Sequence, residues 1–102
     1  MSEIREFQIE VTDEVLDDLK QRLSMTRWPN KETPEDWSQG IPLAYMKELC
    51  DYWQHEYDWR VREERLNQLP QFITEIDGVD IHFIHFPSAH ENARPLIITH
   101  GW

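Results

Sequence analysis

The clearest pattern of apolar and polar positions is a pair of β-rich runs on either side of Asp77-Gly78. Residues 72–76 read Phe-Ile-Thr-Glu-Ile, and residues 79–86 read Val-Asp-Ile-His-Phe-Ile-His-Phe. A tight two-residue turn of type I′ needs a positive φ at both central positions, which Asp and Gly adopt at low cost. The pattern therefore predicts a β-hairpin that turns at Asp77-Gly78.

The start of the chain predicts a short strand followed by an amphipathic helix. Phe7, Ile9 and Val11 alternate with polar residues, which is the period of a strand with one buried face. Thr12 is a suitable N-cap, and leucines then recur at helical spacing. We expect this helix near residues 13–25.

Two more helices are predicted between Pro42 and Pro70. Pro42 suits the first turn of the second helix, and the expected role of its apolar stripe is core packing. The stripe consists of Leu43, Met46, Leu49, Cys50, Trp53 and Tyr57. The third helix is expected to run from Asp58, as its N-cap, to Leu69, with residues 62–65 on a solvated charged face.

A long irregular stretch separates the first two predicted helices. Proline, glycine and polar residues interrupt it from Trp28 to Pro42, yet it also carries Trp37 and Ile41. Loops longer than about a dozen residues without secondary structure are usually functional or disordered, and large aromatic side chains favour order. We therefore expect an ordered arm that lies on another surface.

The last residues combine an apolar run with a His-Gly-Trp sequence. The β-branched run between Pro95 and Gly101 predicts a strand covered on both faces, which needs a larger sheet. In the α/β-hydrolase fold, the loop after the third strand supplies a backbone N–H to an oxyanion hole, and glycine allows close approach. From these residues alone, His100-Gly101 is either the start of such a loop or an ordinary turn.

Composition argues against several classes of partner. Twenty acidic and ten basic residues give a net charge of −10, which disfavours nucleic acid and anionic membranes. No run approaches the roughly 20 apolar residues of a membrane span, and the charged N-terminus is unlike a signal peptide. The single cysteine, Cys50, excludes an internal disulfide and suits a reducing, cytoplasmic location.

No cofactor or metal site is expected. His82 and His85 are three positions apart on a predicted strand, so their side chains face opposite sides of the sheet. The chain has no serine nucleophile elbow, phosphate-binding loop or dinucleotide fingerprint.

Several short sequences occur in an order that resembles the N-terminal region of microsomal-type epoxide hydrolases. They are Arg27-Trp28-Pro29, Tyr52-Trp53, Tyr57-Asp58-Trp59-Arg60, Leu66-Asn67, Gln71-Phe72, Asp77-Gly78, Ile81-His82-Phe83 and His100-Gly101-Trp102. The resemblance implies an α/β fold with a helical N-terminal arm over residues 1–70. Residues 71–102 would then be the hairpin and third strand that begin an incomplete α/β-hydrolase domain.

The same resemblance implies a function and a site. Such enzymes hydrolyse an epoxide to a vicinal diol through a covalent ester on an aspartate, and the backbone N–H of Trp102 would be one oxyanion-hole donor. His100 and Gly101 would support that loop. The implied partners are a small-molecule epoxide and the remainder of the hydrolase body, and a homo-oligomer stays open. The nucleophile, the base and the lid tyrosines would lie beyond Trp102, so these residues alone are expected to be inactive.

Two alternatives remain at this point. The chain could be the arm of a related α/β hydrolase with another substrate, or a non-catalytic interaction or dimerisation module. A Gly-x-Asp-x-Gly elbow downstream would indicate an epoxide hydrolase, whereas serine there would indicate an esterase. A monomer with no exposed apolar patch would favour the module, but we expect the run Leu96-Ile97-Ile98 to promote association.

Overall fold

In a computed structural model, residues 2–99 and Gly101 are described, and the chain divides into two compact units. The helical unit contains residues 9–66, and the sheet unit contains the chain up to Gln8 together with the chain from Asn67 onward. This partition differs from the sequence-based division at residue 70, because the first strand belongs with the hairpin and not with the helices.

The described residues of the sheet unit form three antiparallel strands. They are β1 (Ile4–Glu6), β2 (Gln71–Ile76) and β3 (Val79–Ile84), and their order in the sheet is the same as in the chain. Ile76 pairs with Val79, and the two residues between them have positive φ angles, 52° at Asp77 and 80° at Gly78. The prediction of a tight hairpin at this position is confirmed, because both central residues have the φ sign of a type I′ turn.

The first strand lies earlier than the alternation of Phe7, Ile9 and Val11 predicts. Strand β1 ends at Glu6, which pairs with Phe72, and Phe7 adds one further hydrogen bond from its N–H to the carbonyl of Gln71. The predicted strand over residues 7–11 was therefore wrong in its position. The N–H of Val11 does not join a strand ladder, because it donates to a side-chain carboxylate in the helical unit.

The helical unit contains the three predicted helices. They are α1 (Asp13–Ser24), α2 (Leu43–His55) and α3 (Trp59–Asn67), and α1 packs against α2. Thr12 caps α1, since its hydroxyl oxygen accepts the N–H of Val15. Helix α2 begins after Pro42, as expected, and the loop before it carries no helix or strand.

The predicted third strand is not formed within the described part of the chain. Residues 93–99 have no regular secondary structure, and the side chains of Leu96, Ile97 and Ile98 are 80%, 90% and 79% exposed. A strand needs a neighbour for its backbone hydrogen bonds, and no described segment pairs with this one. The run has the apolar composition of a buried strand, but no described strand lies beside it to bury its side chains.

Neither unit has a buried apolar core among its described residues. Large apolar side chains stay substantially exposed, including Leu49, Tyr52 and Trp53 on α2 and Ile81 on β3. The prediction that the α2 stripe packs in a core was therefore wrong for the described residues. The stripe is at most half-buried, because the described part of the chain offers too little apolar surface to cover it. Apolar surface of this extent usually marks an interaction face.

Candidate functional site

The three residues predicted from the sequence to form an oxyanion loop lie at the end of the chain. His100 and Trp102 are outside the described residues, so their placement stays a prediction. Gly101 is exposed, and a Cβ atom built on it would have no heavy atom within 4 Å. Nothing in the described surroundings of Gly101 therefore requires glycine, and its expected role depends on groups that would approach it from elsewhere.

A large concave surface in the helical unit is an apolar groove. Its volume is about 1110 Å³, and it lies between α1, the end of α2 and the start of α3. The apolar lining includes Val15, Leu16, Leu19, Leu49, Trp53 and Tyr57. Tyr52 and Tyr57 at one side of the groove pack edge to face, with ring centroids 6.3 Å apart.

Charged residues line the groove beside this apolar surface, but they do not form a catalytic arrangement. Asp13 and Arg60, both lining residues, are paired with each other at 2.7 Å. Among the described residues, no serine or cysteine lines the groove. The groove thus has the character of a contact surface for another apolar protein surface, and not that of a reaction centre.

The polar interactions of the helical unit converge on Glu63 in α3. One carboxylate oxygen, Oε2, accepts the backbone N–H of Val11 at 2.9 Å and the indole N–H of Trp59 at 3.0 Å. The other, Oε1, accepts from the guanidinium of Arg60 at 2.8 Å. The bond from Val11 is the main cause that lowers the pKa of Glu63, and the Arg60 and Trp59 bonds act in the same direction.

Arg60 completes this arrangement from the same helix. Its guanidinium donates to the carbonyl of Val11 at 2.6 Å and to the carboxylate of Asp13 at 2.7 Å. The hydrogen bonds to Asp13 and Glu63 raise the pKa of Arg60 further above its already high ordinary value. We call Val11, Asp13, Trp59, Arg60 and Glu63 the clasp, because they join the segment before α1 to α3.

A second carboxylate connects the long loop to α2. Pro42 occupies the N-cap position and offers no side-chain hydrogen bond, but Oε2 of Glu32 accepts the N–H of Leu43 at 2.9 Å. This bond is the largest cause that lowers the pKa of Glu32. Trp37 in the same loop packs edge to face on Tyr45 of α2, with ring centroids 5.1 Å apart. The predicted ordered loop is thus attached to the helix that follows it.

The part of the chain that the structure describes carries neither a metal-ligand cluster nor a membrane-spanning helix. Among residues 2–99 and Gly101, no three His, Cys, Asp or Glu side chains form a group that could hold a metal ion. Within the same part of the chain, no helix combines the length and apolarity needed to cross a bilayer. The free thiol of Cys50 is half-buried on α2.

Similarity to solved structures defines the class of this fold. The structure of Aspergillus niger epoxide hydrolase matches with a TM-score of 0.79 and 35% sequence identity, over 89% of this chain and 24% of that chain. The chain thus has the fold of the start of an α/β-hydrolase epoxide hydrolase. This confirms the expected fold class, a helical arm followed by a hairpin.

The family follows from the sequence comparisons. The family described as "Epoxide hydrolase N terminus" matches residues 4–102, and the chain belongs to it. A Stigmatella aurantiaca protein provisionally named as an epoxide hydrolase is 54% identical over 97% of the chain, and epoxide hydrolase 1 of Oryctolagus cuniculus is 38% identical over 97%. The chain spans 22% and 23% of the lengths of these two relatives. The resemblance noted in the sequence is confirmed.

The clasp was missed from the sequence. The charged residues 62–65 were expected to be solvated, but the side chain of Glu63 is only 13% exposed. A signal was present, because Glu63 lies four positions after Trp59 and three after Arg60, the spacings at which side chains meet on a helix. Their partner Val11 lies 52 positions from Glu63 and is joined to it through its backbone, which no side-chain pattern reveals.

Proposed function

We propose that this chain is the N-terminal part of an enzyme that hydrolyses epoxides to vicinal diols. The observation that carries the proposal is the family match over residues 4–102. The structural similarity to an Aspergillus niger epoxide hydrolase supports it independently, at 35% identity over 89% of the chain. The reaction itself would need residues that have no counterpart here, since the relatives are more than four times as long.

The proposed role of the described residues is structural support of a catalytic body. Both units expose apolar side chains, and the groove between the three helices is lined mainly by such residues. We propose that the remainder of the hydrolase covers these surfaces, because about three quarters of each relative's length is available to do so. Burial of apolar surface would then supply the core that the helical and sheet units do not form by themselves.

The proposed chemistry has two steps. A carboxylate of the catalytic body attacks one epoxide carbon, the carbon–oxygen bond breaks, and acidic tyrosines of a lid donate a proton to the released oxygen. Water, activated by a histidine and its acidic partner, then attacks the carbonyl of the resulting ester. The diol leaves, and the carboxylate is regenerated. Backbone donors would stabilise the oxyanion formed in the second step.

Within this chain, we propose the backbone N–H of Trp102 as one of those donors. The support is the position of His100-Gly101-Trp102 after an apolar run, at the end of the ordered set of short sequences that resembles epoxide hydrolases. His100 would hold the loop, and Gly101 would leave room for the reacting group. These three roles rest on the family resemblance.

Isotope labelling of the complete gene product would test the reaction. In a single turnover in water enriched in oxygen-18, the covalent mechanism delivers an unlabelled carboxylate oxygen to the diol, so the first product should lack the label. Repeated turnover should give labelled diol. A labelled product in the first turnover would contradict the ester intermediate, and absence of diol with any epoxide would contradict the activity.

A related hydrolase with another substrate is the competing proposal for the complete protein. Serine in place of the nucleophilic aspartate, together with turnover of carboxylic esters, would favour it. A non-catalytic interaction module is the third possibility, and a homo-oligomer remains compatible with the exposed apolar surface. We propose a cytoplasmic location because the one cysteine is a free thiol, and fractionation of the source cells would test it.

A further inference from the structure

The clasp closes the two ends of the helical unit on each other. Val11 and Glu63, joined at 2.9 Å, lie two and three positions inside the limits of this unit at residues 9 and 66. Arg60 donates to the carbonyl of Val11, so the same residue of the N-terminal segment is held through both its N–H and its C=O. The clasp therefore controls the separation of the two chain ends that leave the helical unit.

The strands that follow from these two ends are paired in the sheet unit. Glu6 of β1 lies opposite Phe72 of β2, and the N–H of Phe7 donates to the carbonyl of Gln71. Strand β1 has only three residues, all exposed, and β2 is its single neighbour in the sheet. Outside the ladder, this segment is held by the exposed ion pair of Arg5 with Asp80 at 3.0 Å and by the hydroxyl of Thr74, which donates to the carbonyl of Glu3 at 3.1 Å. Exposed pairs of this kind contribute little to stability, so the entropy of closing the intervening chain matters.

Chain connectivity links the clasp to this pairing. About 65 residues separate Glu6 from Phe72, and the closed clasp shortens the effective loop to roughly 14 residues because it joins Val11 to Glu63. The probability of loop closure falls with about the 3/2 power of loop length, so opening the clasp would weaken pairing of β1 by up to about tenfold. Contacts between α1 and α2 that survive opening make this figure an upper limit.

We propose that the clasp is an acid-released device that sets how firmly β1 stays paired with β2. Protonation of Glu63 adds a proton to one carboxylate oxygen and removes the charge that the N–H groups of Val11 and Trp59 and the guanidinium of Arg60 bind. Among the described residues, Arg60 is the charged side chain that contacts Glu63, and Arg60 in turn binds Asp13 at the start of α1 through its guanidinium and Asp58 through its backbone N–H.

Release of β1 would leave one edge of β2 without its partner. The backbone groups of β2 that pair with Ile4–Glu6 would then be available to another strand. The charge of Glu63 would in this way control access to the edge of β2 that Ile4–Glu6 covers, although β1 is 57 or more positions from Glu63 in sequence.

Amide hydrogen exchange on the full chain tests the proposal. Protection at Val11 and Phe7 would be measured by NMR from pH 7 down to about pH 2, because the pKa of Glu63 is lowered, and each exchange rate would be compared with the intrinsic rate at the same pH. We expect protection at Val11 to fall as Glu63 is protonated, and protection at Phe7 to fall by up to about tenfold over the same pH interval. Unchanged protection at Phe7 while Val11 becomes unprotected would overturn the proposal.

Two variants and a matched control separate the clasp from general acid effects. In Glu63→Gln, protection of the Phe7 amide should be lower already at pH 7 and should depend little on pH. In the control Glu64→Gln, on the same helix, protection of Phe7 should follow that of the parent chain. If Glu63→Gln does not fold, Trp59→Phe is the second variant, because it removes one donor to the Glu63 carboxylate. The loss of amide protection should then occur at a higher pH, since the carboxylate is protonated more easily. Identical transitions in Trp59→Phe and Glu64→Gln would also overturn the proposal.

Discussion

Phe72 of β2 and Phe83 of β3 lie directly opposite each other and stack, with ring centroids 5.7 Å apart and an interplanar angle of 30°. Cross-strand aromatic pairs stabilise a hairpin beyond the area that each ring buries. In this sheet unit, which has no buried apolar side chain among the described residues, the pair is a principal apolar contact between the two strands.

The first prediction concerns this pair. A double-mutant cycle with Phe72→Ala and Phe83→Ala should give a coupling of about 0.5–1 kcal/mol in the free energy of unfolding, measured by urea denaturation. The opposed pair Thr74 and Ile81, which has no aromatic ring, serves as the control and should couple more weakly. Equal coupling in both cycles would argue that stacking contributes nothing specific.

The second prediction concerns the turn. Gly78 has a φ of 80°, which side chains with a branched Cβ adopt only with strain, although nothing lies within 4 Å of the position that a Cβ would take. Gly78→Val should therefore destabilise the hairpin by about 1–2 kcal/mol through backbone strain alone. Asp77→Asn is the control, since Asn tolerates the φ of 52° found there, and should stay within about 0.5 kcal/mol in the same urea measurement.

The third prediction concerns acid and the start of α2. The pKa of Glu32 is lowered in the folded chain, chiefly by the N–H of Leu43, so its contribution to stability is complete above its ordinary pKa. That contribution should be lost as the pH falls through the lowered pKa of the folded state. Circular dichroism at 222 nm should show a decrease of helix signal in this acid interval, and Glu32→Gln should remove the part that comes from this carboxylate.

A companion variant tests the same capping bond at neutral pH. Glu32→Ala removes the acceptor for Leu43, and protection of that amide against exchange should fall on the order of fivefold. Glu35→Ala is the matched control in the same loop, because the Glu35 side chain is 91% exposed and lies 3.9 Å from Lys31. Equal losses in the two variants would show that Glu32 has no special role.

The fourth prediction concerns the apolar run near the end of the chain. Because Leu96, Ile97 and Ile98 are exposed, the isolated chain should bind anilinonaphthalene sulfonate and scatter light in a concentration-dependent way. Ile97→Asp should weaken self-association on the order of tenfold or more, whereas Ala93→Asp adds the same charge without removing a large apolar side chain. A dye-negative monomer would contradict this prediction and favour the interaction module.

Local signals in the sequence were sufficient for most of the secondary structure. Thr12, Pro42 and Asp58 mark the starts of the three helices within a residue, and Asp77-Gly78 marks the hairpin turn. These features depend on interactions between residues that are near in sequence: a capping hydroxyl, the fixed φ of proline, and the φ preference of Asp-Gly. The order of short sequences along the chain also indicated the family that the comparisons identify.

Interactions between residues that are distant in sequence determined where strands pair and which apolar side chains are buried. Alternation over residues 7–11 looks like a strand, but strand pairing lies at Ile4–Glu6 and Val11 binds Glu63. The run around Ile97 has the composition of a buried strand, yet it is exposed because no described strand lies beside it. A strand is specified by its neighbours as well as by its own residues, so periodicity alone does not fix where pairing occurs.

The sequence by itself determined the helices, the hairpin and the family, because capping, turn geometry and motif order are local properties of the chain. Only the tertiary structure decided that Glu63 is a partner of Val11 and that Glu32 caps α2, since each carboxylate binds a backbone N–H at a distance in sequence that no local pattern encodes. It also decided that the run at Leu96-Ile97-Ile98 remains exposed and that the apolar stripes of the helices are at most half-buried, because burial depends on which surfaces are present to cover them.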